Sequence, residues 1–361
     1  MSYFKWLMTT LSLLLISAVL IVTVNFIVDT HAIRLSLFNM AGNIRQDAYP
    51  EAINQHTFNP EFIFRNPEKF DSFLFGSSRV AVIDVTKIPS GRFYNMSYSE
   101  ALPAQHLAIL KTFLQKGIRI KTVVIGLDEF CFTLPATHHQ KQLLRIMHPD
   151  VSGQNRLEFF AMYFFRKPTL WEVNTWRDRI FYHKNEKKFL LDDHGMNLGW
   201  LEKEKTVEET GLPIFDSAIR EYKPIRFGAK ETEEALDVIK AIVALSRIHH
   251  FTIVFFINPF YSRLYLNNAE AFSSVKARLA QVTDYYDFSG LNSVTTNAVN
   301  YYEESHYRYR VGDMIVLRLF GGNAKKPPDD FGVMVTRQNI GRHLENQKSE
   351  LEDYLKTRHL Q

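Results

Sequence analysis

Two short segments carry the residue types that serine-dependent acyl transfer needs. Gly76-Ser77-Ser78-Arg79 follows an apolar run at 70–75. A serine on a tight turn after a strand projects its hydroxyl beyond the sheet, where backbone N–H groups can stabilise an oxyanion. Far downstream, Glu303 and His306 have an acid-x-x-His spacing. This spacing brings a carboxylate to one imidazole nitrogen and leaves the other nitrogen free to accept a serine proton.

Each segment taken alone has a simpler interpretation. Small residues are common in strand-to-helix turns for steric reasons, and a histidine beside glutamates is typical of a solvated surface. The identity of the orienting acid also stays open, because Glu304 could replace Glu303 in that role. The chemical hypothesis therefore requires a fold that brings the two segments together.

Strand and helix patterns alternate through most of the chain. Apolar runs rich in β-branched and aromatic residues predict strands at 70–75, 93–98, 121–127, 251–257 and 285–288. Amphipathic spacing predicts helices at 99–116, 231–248, 269–282, 311–319 and 342–356. This alternation predicts an α/β fold of three layers, with helices on both faces of a mainly parallel sheet. The alternation of strands and helices is interrupted at about 132–228, and this interruption predicts a mostly helical insertion.

The N-terminus carries a long uncharged apolar segment. Trp6 to Val28 contains no charged residue and is long enough to cross a bilayer core of about 30 Å. Lys5 precedes it and Asp29 follows it, so we expect a single-pass anchor in the cytoplasmic membrane with the main domain outside. A cleaved signal peptide is the competing interpretation. The predicted organisation is a cytoplasmic N-terminus (1–5), an anchor (6–28), a membrane-proximal stalk (29–65), an α/β domain (66–330) and a helical tail (331–361).

Composition narrows the classes of partner. The net charge is +4, and acidic and basic residues are interspersed, which argues against a nucleic-acid footprint. Cys131 is the single cysteine, so no intrachain disulfide can form. The segments His138-His139 and Asp192-Asp193-His194 lack a recognised ligand spacing, and we expect neither a metal nor another cofactor. The aromatic-rich insertion, with Trp171, Trp176 and Trp200, is expected to be core in preference to a sugar-stacking surface.

The motifs resemble those of the SGNH/GDSL hydrolase superfamily, whose blocks are G-D-S-L, a glycine, G-x-N-D and D-x-x-H. The resemblance implies that Ser78 is the nucleophile, with His306 as the base and Glu303 as the acid. It also matches Ser97 to the glycine whose backbone N–H binds the oxyanion. In Gly126-Leu127-Asp128-Glu129, Asp128 stands where the family has its asparagine donor.

The aspartate at this position has several possible consequences. An ionised carboxylate accepts hydrogen bonds and repels an oxyanion. We therefore expect that the Asp128 side chain is turned away from the oxyanion or is protonated, or else that activity is altered or lost. Asn95 offers an alternative side-chain donor. Arg79 is expected either to bind a carboxylate or phosphate of the substrate or to pair with a nearby acid such as Asp84.

The anchor and motifs are also similar to single-pass SGNH-like proteins of envelope polymer modification, of the teichoic-acid D-alanyl transfer and alginate O-acetylation type. This resemblance implies an extracytoplasmic serine acyltransferase or esterase that acts on an envelope glycan, beside a membrane-bound O-acyltransferase. The alternatives are a catalytically inactive subunit that binds or assembles an O-acylation complex, and an esterase that acts on lipid.

Overall fold

The computed structural model describes residues 3–34, 53–140, 142–174, 177, 191–215, 225–321 and 326–359. The chain divides into two compact units, which are described separately below. The anchor unit comprises 1–62 and 139–190, and the sheet unit comprises 63–138 and 191–361. The predicted insertion therefore contributes to both units, and parts of it and of the predicted stalk lie outside the described residues.

The sheet unit is built on a six-stranded sheet in the order β2-β1-β3-β4-β5-β8. Neighbouring strands are parallel except for β8, which runs antiparallel to β5 at one edge. The predicted α/β fold with a mainly parallel sheet is thus confirmed. The six strands are β1 (Ser72–Phe75), β2 (Phe93–Asn95), β3 (Thr122–Leu127), β4 (Thr252–Ile257), β5 (Tyr285–Asp287) and β8 (Val333–Val335), and a separate hairpin pairs β6 (Tyr301–Glu303) with β7 (His306–Tyr307).

The α-helices are numbered in chain order. They are α1 (Tyr3–Val28), α2 (Gln55–Arg65), α3 (Pro103–Gln115), α4 (Pro149–Ser152), α5 (Arg156–Phe164), α6 (Leu201–Thr210), α7 (Ala229–His249), α8 (Ser262–Leu266), α9 (Ala269–Leu279), α10 (Tyr309–Phe320) and α11 (Ile340–His359). The five helices predicted in the core and tail correspond to α3, α7, α9, α10 and α11. The start of α3 is later than predicted, because Leu102 is extended and Pro103 occupies the first turn.

Alternate residues of the strands cover opposite faces of the sheet. Leu74, Val124 and Phe256 lie in one buried cluster with Ile315 of α10. On the other face Phe73 packs against Phe113 of α3, with ring centroids 5.0 Å apart. Because strand side chains alternate between faces, this packing places helices on both sides of the sheet.

Two local features differ from the sequence prediction. The three-residue edge strand β8 was not predicted, because Val333 and Met334 are exposed and so short a strand has no apolar periodicity. After Gly76 the expected helix is only a five-residue 3-10 helix, Ser78–Val82. The chain therefore leaves the helical conformation again at Ile83, which is extended.

In the anchor unit, α1 has the length and composition of a membrane span. It has 26 residues and a mean hydropathy of 2.7 in its most apolar window, and nearly all its side chains are exposed. Its last turns pack against the unit, where the buried Asn25 amide donates to the carbonyls of Phe164 and Arg166 at 2.9 and 2.7 Å. This one apolar helix fits either a signal anchor or a signal sequence.

Candidate active site

The turn after β1 presents Ser78 at the end of the strand. Gly76 has a φ of +155°, and a Cβ there would lie 2.9 Å from Val80, so glycine is required. The Ser77 hydroxyl accepts the Arg79 backbone N–H at 3.2 Å and starts the 3-10 helix. As a result Ser77 is buried, while Ser78 is half-buried and its side chain reaches the surface.

The second segment is a tight hairpin. Glu303 ends β6 and His306 begins β7, and the two residues are paired across the hairpin. Their proximity thus comes from cross-strand pairing within one turn. Glu304 and Ser305 form the turn between them, and both catalytic candidates of the hairpin remain partly exposed.

The sheet unit brings the hydroxyl, the imidazole and the carboxylate into one chain of hydrogen bonds. Ser78 Oγ lies 2.8 Å from His306 Nε2, although the two residues are 228 positions apart. On the other side of the ring, His306 Nδ1 contacts Glu303 Oε1. Glu304 is buried and its backbone carbonyl accepts the Tyr261 N–H, so Glu303 is the acid at the imidazole.

The Glu303 carboxylate is held in its charged form. Partial burial would raise its pKa, but hydrogen bonds from His306 and Ser305 lower the pKa to about 2. The Ser305 hydroxyl and backbone N–H donate to the two carboxylate oxygens at 2.8 and 3.2 Å. An ionised acceptor at Nδ1 favours the tautomer with its proton on Nδ1, which leaves Nε2 able to accept the Ser78 proton.

Arg79 connects the two segments and is not available to a substrate. Its Nε donates to the Ser305 carbonyl at 2.9 Å, and Nη1 donates to Asp128 Oδ1 at 2.6 Å. Glu129 receives both Nη groups, at 2.6 and 2.9 Å. The side chain is only 6% exposed. Of the two expectations for Arg79, pairing with an acid is the one the contacts agree with. The partner is not Asp84, which instead accepts the Thr86 N–H, because the acids at the end of β3 reach the guanidinium.

Asp128 belongs to the same buried cluster. Its Oδ1 accepts hydrogen bonds from Arg79 and, at 3.0 Å, from the Asn258 amide. Burial raises the pKa of Asp128, Arg79 opposes this effect, and the neighbouring Glu129 adds to it, so that the pKa lies above its ordinary value. The residue is fully buried, and Oδ1 is turned towards Arg79 and Asn258. It provides no side-chain donor in place of the asparagine.

The two other expected oxyanion donors are also engaged. The Asn95 amide donates to the carbonyls of Val80 and Ile83 at 2.8 and 3.1 Å, which fixes the 3-10 helix. Asn95 Oδ1 accepts the Ser97 N–H at 3.0 Å. Both groups are therefore already hydrogen-bonded in this structure, and oxyanion binding by Asn95 or Ser97 stays a prediction. The Ser78 N–H has no acceptor among the described residues and remains the candidate donor.

Trp200 is a neighbour of the site that the sequence did not single out. Its ring lies 5.7 Å from that of His306 and stacks on Tyr302 at 4.9 Å. The expectation that it is core was partly right, since it packs on the main cluster but keeps some exposure. Hydrophobic periodicity depends on residues that are close in sequence, so it could not reveal the contact between Trp200 and His306. Of the other tryptophans, Trp171 is 50% exposed in the anchor unit, contrary to expectation, and Trp176 lies outside the described residues.

No protein-family model and no curated protein matches this chain. The chemistry of the site therefore rests on its geometry. A hydroxyl, an imidazole and an ionised carboxylate within hydrogen-bond reach are the components that activate a serine for attack on a carbonyl.

Proposed function

We propose that this protein is an extracytoplasmic, membrane-anchored serine acyltransferase or esterase with an SGNH-like site. The observation that carries the proposal is the 2.8 Å contact between Ser78 Oγ and His306 Nε2, with Glu303 on the opposite ring nitrogen. The distance is within the range expected of a nucleophile and its general base. Both side chains are partly exposed, so an acyl donor can approach them.

The reaction proceeds by two acyl transfers. Ser78 Oγ attacks an ester or thioester carbonyl while His306 Nε2 takes its proton, and the Ser78 N–H stabilises the developing oxyanion. The tetrahedral intermediate collapses, and His306 returns the proton to the leaving oxygen or sulfur. A sugar hydroxyl or water then attacks the acyl-serine ester, losing its proton to His306. Collapse restores the Ser78 hydroxyl and releases the acylated acceptor or the free acid.

An envelope glycan is the proposed acceptor, and a membrane-bound O-acyltransferase is the proposed partner. Both follow from the resemblance to envelope polymer modification proteins. Retention of α1 as an anchor is supported by the contacts of Asn25, because cleavage after the apolar segment would remove the side chain that binds the carbonyls of Phe164 and Arg166. An anchored site would remain close to polymers assembled at the membrane.

A second candidate is a catalytically silent subunit of an O-acylation complex. The state of the expected oxyanion donors favours it, because the Ser97 N–H is bonded to Asn95 and Asp128 replaces an asparagine. Loss of one oxyanion donor typically lowers kcat by about 10²–10³. A site with a single donor would then turn over slowly or only bind its ligand.

Intact-mass spectrometry tests the catalytic proposal. The full chain in detergent is mixed with a fluorophosphonate or an activated acyl donor, and we expect one adduct, which peptide mapping assigns to Ser78. No serine adduct at saturating probe would overturn the acyl-enzyme mechanism. In cells, normal polymer acylation with Ser78→Ala would support the silent subunit. Release of fatty acid from vesicles, with no effect on glycan, would point to lipid as the substrate.

A further inference from the structure

The anchor unit contains a segment at 165–174, helical from residue 170, in which Arg166 and Glu172 form an ion pair. Arg166 Nη1 lies 2.8 Å from Glu172 Oε2, and Nη2 contacts Oε1. The Thr169 N–H and hydroxyl donate to the same carboxylate at 2.8 and 2.9 Å. Glu172 is only 5% exposed; burial opposes its ionisation, but these bonds lower its pKa to about 2. This ion pair thus links the start of the segment to its helical end.

Several apolar side chains of this segment are exposed. Phe165, Leu170, Trp171 and Val173 are 67, 76, 50 and 44% exposed. Leu157 on α5 is 79% exposed, and Phe165 is the C-cap residue of the same helix. Exposure of these side chains to water is unfavourable, because burying one of them would stabilise the protein by about 1.5–3 kcal/mol. We call these five side chains the apolar patch.

The apolar patch adjoins the end of the candidate span. At about 1.5 Å per residue, the twenty residues from Trp6 to Asn25 cross about 30 Å, the thickness of a hydrocarbon core. Asn25 binds the Phe164 and Arg166 carbonyls, and the Phe26 and Phe164 rings are 5.4 Å apart. Since Phe165 follows directly, the segment 165–174 begins at the level where α1 would leave the bilayer.

We propose that the apolar patch inserts into the outer leaflet of the lipid bilayer beside α1. Amphipathic segments bury apolar side chains at the boundary between headgroups and acyl chains, where tryptophan is enriched. The Arg166–Glu172 pair supports this position because the two charges compensate each other and the side chains are only 20% and 6% exposed. The exposed Lys167 can reach the headgroups. The proposal rests on α1 being retained as an anchor and does not depend on the chemistry at Ser78.

Site-specific fluorescence tests the proposal in the full chain. Cysteines introduced as Phe165→Cys and Leu170→Cys are labelled with the environment-sensitive dye NBD, and the protein is reconstituted in nanodiscs of pure phosphatidylcholine. The native Cys131 is buried, so the unsubstituted chain measures background labelling. The matched control is Ile248→Cys, an apolar side chain that is 69% exposed on the sheet unit.

We expect blue-shifted emission at 165 and 170, and several-fold stronger quenching by brominated lipid than at 248. Emission and quenching equal to those of the control would overturn the proposal. Protection in native membranes but not in pure-lipid nanodiscs would also overturn it, and would identify a protein as the occupant of the patch. Carbonate extraction of the same samples reports on the anchor separately, so that loss of α1 is not mistaken for a patch that stays in water.

Discussion

The guanidinium of Arg79 donates from Nε to the carbonyl oxygen of Ser305 at 2.9 Å. Arg79 directly follows Ser78, and Ser305 directly precedes His306. This one hydrogen bond therefore joins the backbone segments that carry the hydroxyl and the imidazole. The remaining Arg79 donors bind Asp128 and Glu129 after β3, which ties the contact to the central sheet.

Arg79→Lys is expected to reduce labelling of Ser78 by at least about tenfold while the chain remains folded. A lysine keeps the positive charge beside the two acids but cannot reproduce the planar fork that reaches four acceptor atoms in three residues. The rate of fluorophosphonate labelling and the melting temperature would be measured together. Asp128→Asn is the comparison variant, because it keeps the Oδ1 acceptor for Arg79 and should change the rate less. Equal rates in the wild type and Arg79→Lys would show that Arg79 has no positioning role.

Ser78→Ala should abolish adduct formation without lowering the melting temperature. The Ser78 hydroxyl is half-buried, and His306 is its side-chain partner in the described structure, so its removal leaves no unsatisfied core group. Loss of a nucleophile in such triads costs about 10⁴–10⁶ in kcat. Ser274→Ala, on an exposed face of α9, serves as the control and should label normally. Persistent labelling of Ser78→Ala would place the nucleophile elsewhere.

Glu303→Gln is expected to slow labelling of Ser78 by a factor of about 10²–10⁴, because the imidazole loses its orienting carboxylate. A neutral amide at this position no longer favours the Nδ1–H tautomer or stabilises the imidazolium. Glu304→Gln should change the rate less than about tenfold, because Glu304 lies in the turn and its side chain does not orient the ring. Stopped-flow labelling at neutral pH compares the two variants. A larger defect in Glu304→Gln would assign the orienting acid to the neighbouring position.

The stability of the sheet unit should fall in acid because of Asp287. Its Oδ2 lies 2.8 Å from both Lys276 Nζ and His343 Nε2, in a site where Lys276 is fully buried. Burial would raise the pKa of Asp287, but Lys276 and His343 lower it far below its ordinary value. A lowered folded pKa means that this stability is fully present above the unfolded pKa of about 3.9. It is lost progressively as the pH falls from that value through the lowered folded pKa.

Asp287→Asn tests this linkage. The substitution leaves the buried Lys276 charge uncompensated, so we expect a loss of about 3–5 kcal/mol in the free energy of unfolding at pH 7. Urea titrations between pH 7 and pH 3 should show a weaker acid dependence in the variant than in the wild type. Asp237→Asn, on the exposed surface of α7, is the control and should follow the wild type. Parallel pH profiles for wild type and Asp287→Asn would contradict the assignment.

The N-terminal helix is expected to remain on the mature protein. After carbonate extraction the chain should stay in the membrane pellet, and N-terminal peptides from the 1–28 region should be detected. Asn25→Leu should lower the melting temperature of the anchor unit, because it leaves the Phe164 and Arg166 carbonyls without their donor. A soluble protein that begins after Val28 would identify the apolar segment as a signal sequence.

The strands and helices of the core could be predicted because their signals are local. Runs such as Thr122–Leu127 and the amphipathic spacing of Ala229–His249 depend only on residues that are close in sequence. The same holds for the pairing of Glu303 with His306, which are three residues apart. The edge strand Val333–Val335 escaped prediction because two of its three side chains are exposed, and only pairing with β5 defines it.

Residue types and their spacing were enough to predict which side chains could act as nucleophile, base and acid, and that an α/β fold would carry them. The partners of these side chains became known only from the folded chain, because they lie far apart in sequence. Arg79 and Asp128 are 49 residues apart, and no residue pattern indicates that the arginine pairs there and not with Asp84. Likewise, the Asn95 amide can bind an oxyanion or a carbonyl, and the packing of β2 against the turn at Val80–Ile83 selects the carbonyls. Residue type defines what a side chain can bind. Burial and distance decide which of its hydrogen-bonding groups already have a partner and which are available to a substrate.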